Sequence, residues 1–271
     1  MMKKKLFIQS IQRACVVPIL FVSMVSYLQP VQAQLSNFIK KTVSNSQLQS
    51  SQQPALPRSG APTGRRRAGA GRNPDCPTSL TRLTALVPGD EAKSVLTSTV
   101  VGNPTFWFYV PELPETARSA EFVLHLSQND KDVQNVYRTP LALLGKPGII
   151  SITLPSQSQY ALKAEQKYHW YFHIYCGDPQ ETSDNFYVDG FVQRQVLTQA
   201  LDSQLKSAKP REYIAYSANN IWYDAISNLG QLRHANPQNA TINKDWVDLL
   251  NAIGLQDLAK EPIVQHYNLD K

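Results

Sequence analysis

Tyr168-His169-Trp170-Tyr171-Phe172-His173-Ile174-Tyr175-Cys176 is the stretch from which the fold follows. Aromatic and β-branched residues fill it, and neither glycine nor proline interrupts it before Gly177, which is strand chemistry. Successive side chains of a strand point to opposite faces. Tyr168, Trp170, Phe172, Ile174 and Cys176 therefore share one face, apolar enough to floor a core. His169, Tyr171, His173 and Tyr175 share the other, which is amphipathic and is the candidate ligand face.

Working outward, Leu162 lies six residues before Tyr168. That spacing matches the tyrosine corner of sandwich folds, in which the phenol bonds backbone in the corner before its strand. Residues 186–194 supply a hairpin partner across the loop that begins at Gly177, with Gly190 as a candidate bulge. Further strands are expected at 80–87, 95–101, 105–110, 121–127, 133–139 and 149–154, separated by turn chemistry such as Pro88-Gly89-Asp90 and Pro147-Gly148. Many short strands with no helix-length pattern between them predict an antiparallel sandwich. In the 105–110 strand Phe106, Phe108 and Val110 alternate with Trp107 and Tyr109, so both of its faces should be covered.

After Gln195 the period changes. Val196, Leu197, Ala200, Leu201 and Leu205 fall at helical spacing, and Pro210 is placed to open a second helix. Ile221, Trp222, Ala225, Ile226, Leu229 and Leu232 mark a helix ending before Pro237. Asn243 is a candidate cap for another that carries Trp246, Leu249 and Leu250 and stops at Gly254. The expected class is α+β: an immunoglobulin/fibronectin-III-like sandwich over 76–194, followed by a small helical bundle over 195–271 packed on it.

The net charge of +6 is unevenly spread. Residues 1–33 carry +4, residues 34–75 carry +6, and the rest carries −4. A basic start, an apolar run from Ala14 to Leu28 and the small-residue pattern Val31-Gln32-Ala33 predict an export signal over 1–33. Its apolar run is about fifteen residues, short of the roughly 20 that span a bilayer, so no transmembrane span is expected after cleavage. Residues 34–75 are rich in Gln, Ser, Pro and Gly and read as a disordered basic tail, with Arg65, Arg66, Arg67 and Arg72 as candidate binders of an anionic surface. Removing the signal leaves Cys76 and Cys176, an even pair that in an exported chain predicts one disulfide.

Several segments, in order, resemble one family: Pro74-Asp75-Cys76, Leu83-Thr84-Ala85-Leu86-Val87-Pro88, Pro104-Thr105-Phe106-Trp107-Phe108-Tyr109-Val110-Pro111, Trp170-Tyr171-Phe172, Val188-Asp189-Gly190-Phe191-Val192-Gln193-Arg194 and Ile221-Trp222-Tyr223-Asp224-Ala225. The chain is similar to the cyanobacterial exported proteins grouped as domain of unknown function 928. The resemblance implies an exported protein of no established activity and transfers no catalytic residue.

The chemistry of compact sites is missing from the sequence. It has no G-x-S-x-G elbow, H-E-x-x-H pair, phosphate loop or dinucleotide fingerprint. His169 and His173 share a face but lie about 13 Å apart along a strand, too far to share one metal ion. Asp189 with Arg194, and Asp224 beside Trp222 and Tyr223, are candidate site residues whose simpler roles are structural pairing and capping. No metal or cofactor is implied. Two functional classes stand: a non-catalytic module that binds an envelope protein or glycan, anionic or neutral, and a hydrolase acting on cell-wall material or polysaccharide through dispersed carboxylates. Neither involves specific nucleic acid. The expected location is the periplasm, outer envelope or extracellular space.

Overall fold

The structure is a computed structural model and describes residues 64–68, 76–89, 95–129, 132–179 and 185–270. The expected export signal, Arg72 and all of the expected tail except 64–68 lie outside the described residues.

Strands β1 (Thr84–Ala85), β3 (Thr105–Val110), β6 (Gly148–Thr153) and β9 (Ile263–Asn268) form one sheet, in the order β1-β3-β6-β9. Strands β2 (Thr97–Thr99), β8 (Asn185–Arg194), β7 (Lys167–Tyr175), β4 (Ser119–Asn129) and β5 (Asp132–Ala142) form the second, in the order β2-β8-β7-β4-β5. The organising strand is therefore the middle of the larger sheet. Its apolar set is fully inside: Tyr168, Trp170, Phe172 and Ile174 are at most 2% exposed.

Opposite it lies β3, buried on both faces as its composition predicts. Phe106 and Phe108 meet the β7 sheet, with Phe108 at 4.5 Å from Phe172 and Phe106 at 5.0 Å from Phe122. Trp107, on the other side of β3, meets Trp246 of the helical layer at 6.0 Å. The order is thus five-stranded sheet, four-stranded sheet, helices. Each large aromatic buried this way removes about 150–250 Å² from water, or about 4–6 kcal/mol of transfer free energy before entropy is charged.

The tyrosine corner forms. Tyr168 accepts a hydrogen bond from the Lys163 amide at 2.8 Å and donates to Gln166 at 3.2 Å. Cys76 and Cys176, 100 residues apart, are joined as a disulfide. Strands β7 and β8 pair without a break, and Gly190 sits opposite Trp170, so Gly190 is not a bulge.

Both sheets are mixed, which corrects the antiparallel expectation: β2 pairs parallel with β8, and β9 parallel with β6. The physical reason is connection length: parallel neighbours need a long crossover, which strands β3 to β7 supply between β2 and β8, and β7, β8 and the helices supply between β6 and β9. Residues 195–271 are accordingly more than a helical bundle, because their last element completes the four-stranded sheet.

Among the described residues the α-helices are α1 (Gln199–Ala208), α2 (Tyr213–Ala218), α3 (Trp222–Ala235) and α4 (Ala240–Ala252). Val196 and Leu197 stay exposed and precede α1, which Thr198 caps. Pro210 lies before α2 and does not open it. The cap of α4 is Asn239, whose side chain accepts from the Ile242 amide at 3.1 Å; Asn243 instead donates to the Pro237 carbonyl.

Residues 64–68 overturn the reading of that segment as tail. The Arg65 carbonyl accepts from Asp189 of one sheet at 2.9 Å, and the Arg66 carbonyl accepts from Ala85 of the other at 2.8 Å. The segment thereby ties the edges of the two sheets together. Arg66 is 2% exposed, and its guanidinium donates to the carbonyls of Gly89 at 2.9 Å and Ile253 at 2.7 Å. Charge counting cannot distinguish a solvated arginine from one whose donors are consumed by buried carbonyls.

Candidate functional site

The outer face of the five-stranded sheet is set by register. His169 lies between His125 of β4 and Phe191 of β8, Tyr171 between Val123 and Asp189, and His173 between Glu121 and Tyr187. Side chains two apart on β7 stack on one another. From Phe191 the run continues to His169 at 4.1 Å, Tyr171 at 4.2 Å, His173 at 5.8 Å and Tyr175 at 6.2 Å, with interplanar angles of 22°, 35°, 17° and 21°. His125 and Tyr187 flank the run, at 5.7 Å from Tyr171 and 5.4 Å from His173. The sequence-predicted set His169, Tyr171, His173 and Tyr175 is brought together as one ladder. Ring faces are taken up by neighbouring rings, so the ladder presents ring edges with their nitrogen and hydroxyl atoms.

Those atoms are linked. Asp189, 3% exposed, accepts from the Arg65 amide at 2.7 Å and faces His169 Nε2 at 2.6 Å. His169 Nδ1 faces the Tyr171 hydroxyl at 3.0 Å. Asp189 and Arg194 are therefore not an ion pair; Arg194 donates to the Leu162 and Val100 carbonyls. His173 Nδ1 faces Asn185 Oδ1 at 3.0 Å, which fixes the proton on Nδ1 and leaves Nε2 an acceptor while the ring is neutral. The Tyr175 hydroxyl donates to Glu121, which also pairs with Arg138 at 3.4 Å.

Burial lowers the pKa values of His125 and His173, whose charged forms lose solvation. Burial, reinforced by the Asp189 charge, pushes the Tyr171 phenol up to about 12. At neutral pH His125 and His173 are thus uncharged, and the Tyr171 and Tyr175 hydroxyls stay protonated, each held by a partner within the face. Among the described residues no group of three or more His, Cys, Asp or Glu is placed to hold a metal ion.

The arginines expected to bind an anionic surface stand in different surroundings. Arg65 lies over the Tyr187 ring at 4.7 Å, Arg66 is buried, and Arg67 pairs with Asp257 at 3.0 Å. Arg72 lies outside the described residues.

A second concavity, about 400 Å³, opens where the 101–105 turn meets α2 and α3. Asp224, Glu212, Tyr216, Asn228 and Gln231 are among its lining residues. Asp224 stands in the first turn of α3 and is 7% exposed. Its Oδ2 accepts from the Val100 amide at 3.3 Å, and its Oδ1 has no hydrogen-bond partner. Burial raises its pKa to about 6 against the lowering effect of Thr99 and the Val100 amide. Tyr216 is raised to about 12, first by burial and then by the charges of Asp224 and Glu212. Asp224 was flagged by its place beside two aromatics. Glu212 and Tyr216 carry no sequence signal, because an acid just before a short helix and a phenol on it look like ordinary surface.

The sequence pattern of the Domain of Unknown Function family DUF928 matches residues 67–263. The chain belongs to this family. No curated protein matches it. In this DUF928 protein the matched span runs from Arg67, in the segment tying the sheets, to Ile263, the first residue of β9. It includes both the ladder and the cleft. The family's description assigns no activity and so lends no role to either.

Proposed function

We propose that this DUF928 protein is an exported binding module whose β7 face holds an extended, polar, uncharged chain, a glycan of the cell envelope. One observation carries the proposal: the continuous ladder from Phe191 to Tyr175, with His169 buried and Tyr171, His173 and Tyr175 half-buried, and with unlike polar atoms at its edge. From His169 to Tyr175 the rings run at most about 16 Å, the length of a few sugar units. The Tyr171 hydroxyl is committed to His169 and the Tyr175 hydroxyl to Glu121, so their oxygens are left as acceptors for ligand hydroxyls. The Cys76–Cys176 bridge supports an oxidising compartment, in keeping with the expected export signal. The tyrosine corner supports kinship with immunoglobulin/fibronectin-III-like sandwiches modified by parallel edge strands.

The test is titration of the intact, disulfide-bonded protein with chitohexaose, cellohexaose and polygalacturonate, followed by amide shifts and by release of reducing ends. A neutral glycan should shift amides of β4, β7 and β8. The double variant H173A/Y175F should weaken binding at least tenfold while leaving the melting temperature nearly unchanged. Shifts confined to other surfaces, or selective binding of the polyanion, would sink the proposal. New reducing ends would replace it with the hydrolase.

A further inference from the structure

Tyr171, in the middle of the ladder, places its hydroxyl 3.0 Å from His169 Nδ1, and His169 Nε2 faces Asp189 Oδ2 at 2.6 Å. An ionised carboxylate only accepts, so the proton of the neutral imidazole sits on Nε2 and Nδ1 accepts from the phenol. Phenol, imidazole and carboxylate thus form one directed chain. It runs inward: Tyr171 is half-buried, His169 is 6% exposed, and Asp189 is buried and fixed by the Arg65 amide at 2.7 Å. Glycan binding on ring edges calls for no base behind a phenol.

The Tyr168, Tyr223 and Tyr267 hydroxyls donate to a side-chain amide or to backbone carbonyls, which do not take up a proton at neutral pH. An imidazole, with an ordinary pKa of about 6.5, does. The imidazolium formed at His169 would be paired with Asp189 by a charge-assisted hydrogen bond. Burial and the Asp189 charge disfavour a phenolate at Tyr171. One-electron oxidation turns a phenol into a strong acid, and a radical cation in a half-buried site is disfavoured as well. Transfer of the electron and the proton together avoids both ions, and it requires an acceptor already hydrogen-bonded to the phenol. His169 is that acceptor. A nucleophilic phenol would need, besides a base, donors aimed at a substrate oxygen, whereas the rings of His125, His169, His173 and Tyr187 surround Tyr171. The same rings give the electron a continuous path, with His173 at 5.8 Å and Tyr175 6.2 Å beyond it.

We propose that Tyr171 is a reversible one-electron donor site, with His169 as the internal acceptor of its proton and Asp189 as the residue that positions His169. Its reaction partner is a one-electron oxidant arriving at the outer face of the five-stranded sheet. In the step the oxidant gains one electron, the phenol O–H bond breaks, and the proton forms a new N–H bond at His169 Nδ1. The products are a neutral phenoxyl radical, an imidazolium paired with Asp189, and the reduced oxidant. Re-reduction of the radical takes the proton back from His169. The site goes beyond glycan binding and does not depend on it.

The experiment is flash oxidation of the full disulfide-bonded chain by photogenerated tris(bipyridine)ruthenium(III) at neutral pH. Transient absorption gives the rate, and electron paramagnetic resonance of freeze-trapped samples identifies the radical. The wild type should form a tyrosyl radical at a rate that is slowed in deuterium oxide and does not change with the concentration of buffer base, because the acceptor is internal. Y171F should lower the radical yield at least fivefold. H169F, which keeps a ring in the stack and removes the base, should slow formation at least tenfold and make it depend on buffer base. D189N, which keeps a hydrogen-bond partner for His169 and loses the charge, should slow it severalfold. If H169F does not fold, the wild-type buffer dependence and Y171F still decide. The proposal is overturned if the wild-type rate rises in proportion to buffer base, if Y171F gives the radical in full yield, or if folded H169F reacts as fast as the wild type. Loss of glycan binding leaves each of these outcomes as it stands.

Discussion

Glycine inside a helix is ordinarily a defect: replacing it by alanine stabilises by up to about 1 kcal/mol. Gly230 of α3 should behave in the opposite way. A Cβ built there would lie 2.5 Å from Cη2 of Trp107, 2.8 Å from Cζ2 and 3.0 Å from Cζ3. Carbon atoms in good contact stand about 3.5–4.0 Å apart, so roughly 1 Å of overlap must be relieved. The indole has little room to yield. Its Nε1 donates to Ser227 Oγ at 3.0 Å, its ring is set against Trp246 and His266, and it is 2% exposed. Overpacking of this kind costs about 1–3 kcal/mol. After the propensity gain, G230A should lose about 1–2 kcal/mol. Urea denaturation of the disulfide-bonded protein measures it. W107F on the G230A background should recover part of that loss, because the smaller ring vacates the contested space, giving a favourable coupling in the double-mutant cycle. A G230A midpoint above wild type would refute the steric argument outright.

Two further outcomes follow from buried charge. R66Q strands the Gly89 and Ile253 carbonyls and should cost about 2–4 kcal/mol, whereas R67Q, which breaks a half-exposed pair, should cost less than about 1 kcal/mol; denaturant midpoints of the two variants give the comparison. For Asp224 the folded pKa, about 6, lies above the ordinary 3.8, so the folded state holds the proton more tightly and its stability rises as pH falls through 6 toward 4. About two pKa units correspond to about 3 kcal/mol. His125, His173 and His266 are lowered by burial and act with the opposite sign in the same range, so the difference between wild type and D224N is the quantity to follow. That difference should move by about 2–3 kcal/mol in favour of wild type between pH 7.5 and 4, and parallel profiles would show that the carboxyl is not penalised by burial.

Strands were legible where composition and period agreed. Residues 105–110 and 167–176 hold no competing signal, and the structure places β3 and β7 within a residue of them. What escaped depended on partners distant in sequence. Ile263–Asn268 alternates weakly and follows four helices, and only the free edge of β6 makes it a strand. Arg65, Arg66 and Arg67 lie in a segment of glycine, proline and arginine that cannot bury apolar surface by itself. It is ordered by edge hydrogen bonds to Asp189 and Ala85 and by carbonyls that accept the Arg66 guanidinium. Backbone pairing of this kind leaves no trace in composition.

The same distinction runs through the two sites. Strand alternation is enough to put His169, Tyr171, His173 and Tyr175 on one face, but not to say that their rings stack on each other and turn edges outward. The cleft is less legible still, since one of its acids precedes α2 and the other lies on α3. The two are nonetheless joined through α3. Tyr223, next to Asp224, lines the cleft, and its hydroxyl accepts from Trp170 Nε1 at 2.7 Å and donates to the Phe191 carbonyl at 3.2 Å. Phe191 is the residue on which His169 stacks. A shift of α3, such as a methyl at Gly230 would force against Trp107, is therefore passed through Tyr223 to the Phe191 peptide. The amides of Phe191 and Val192 are where strain in the cleft and order in the ladder can be read in one spectrum.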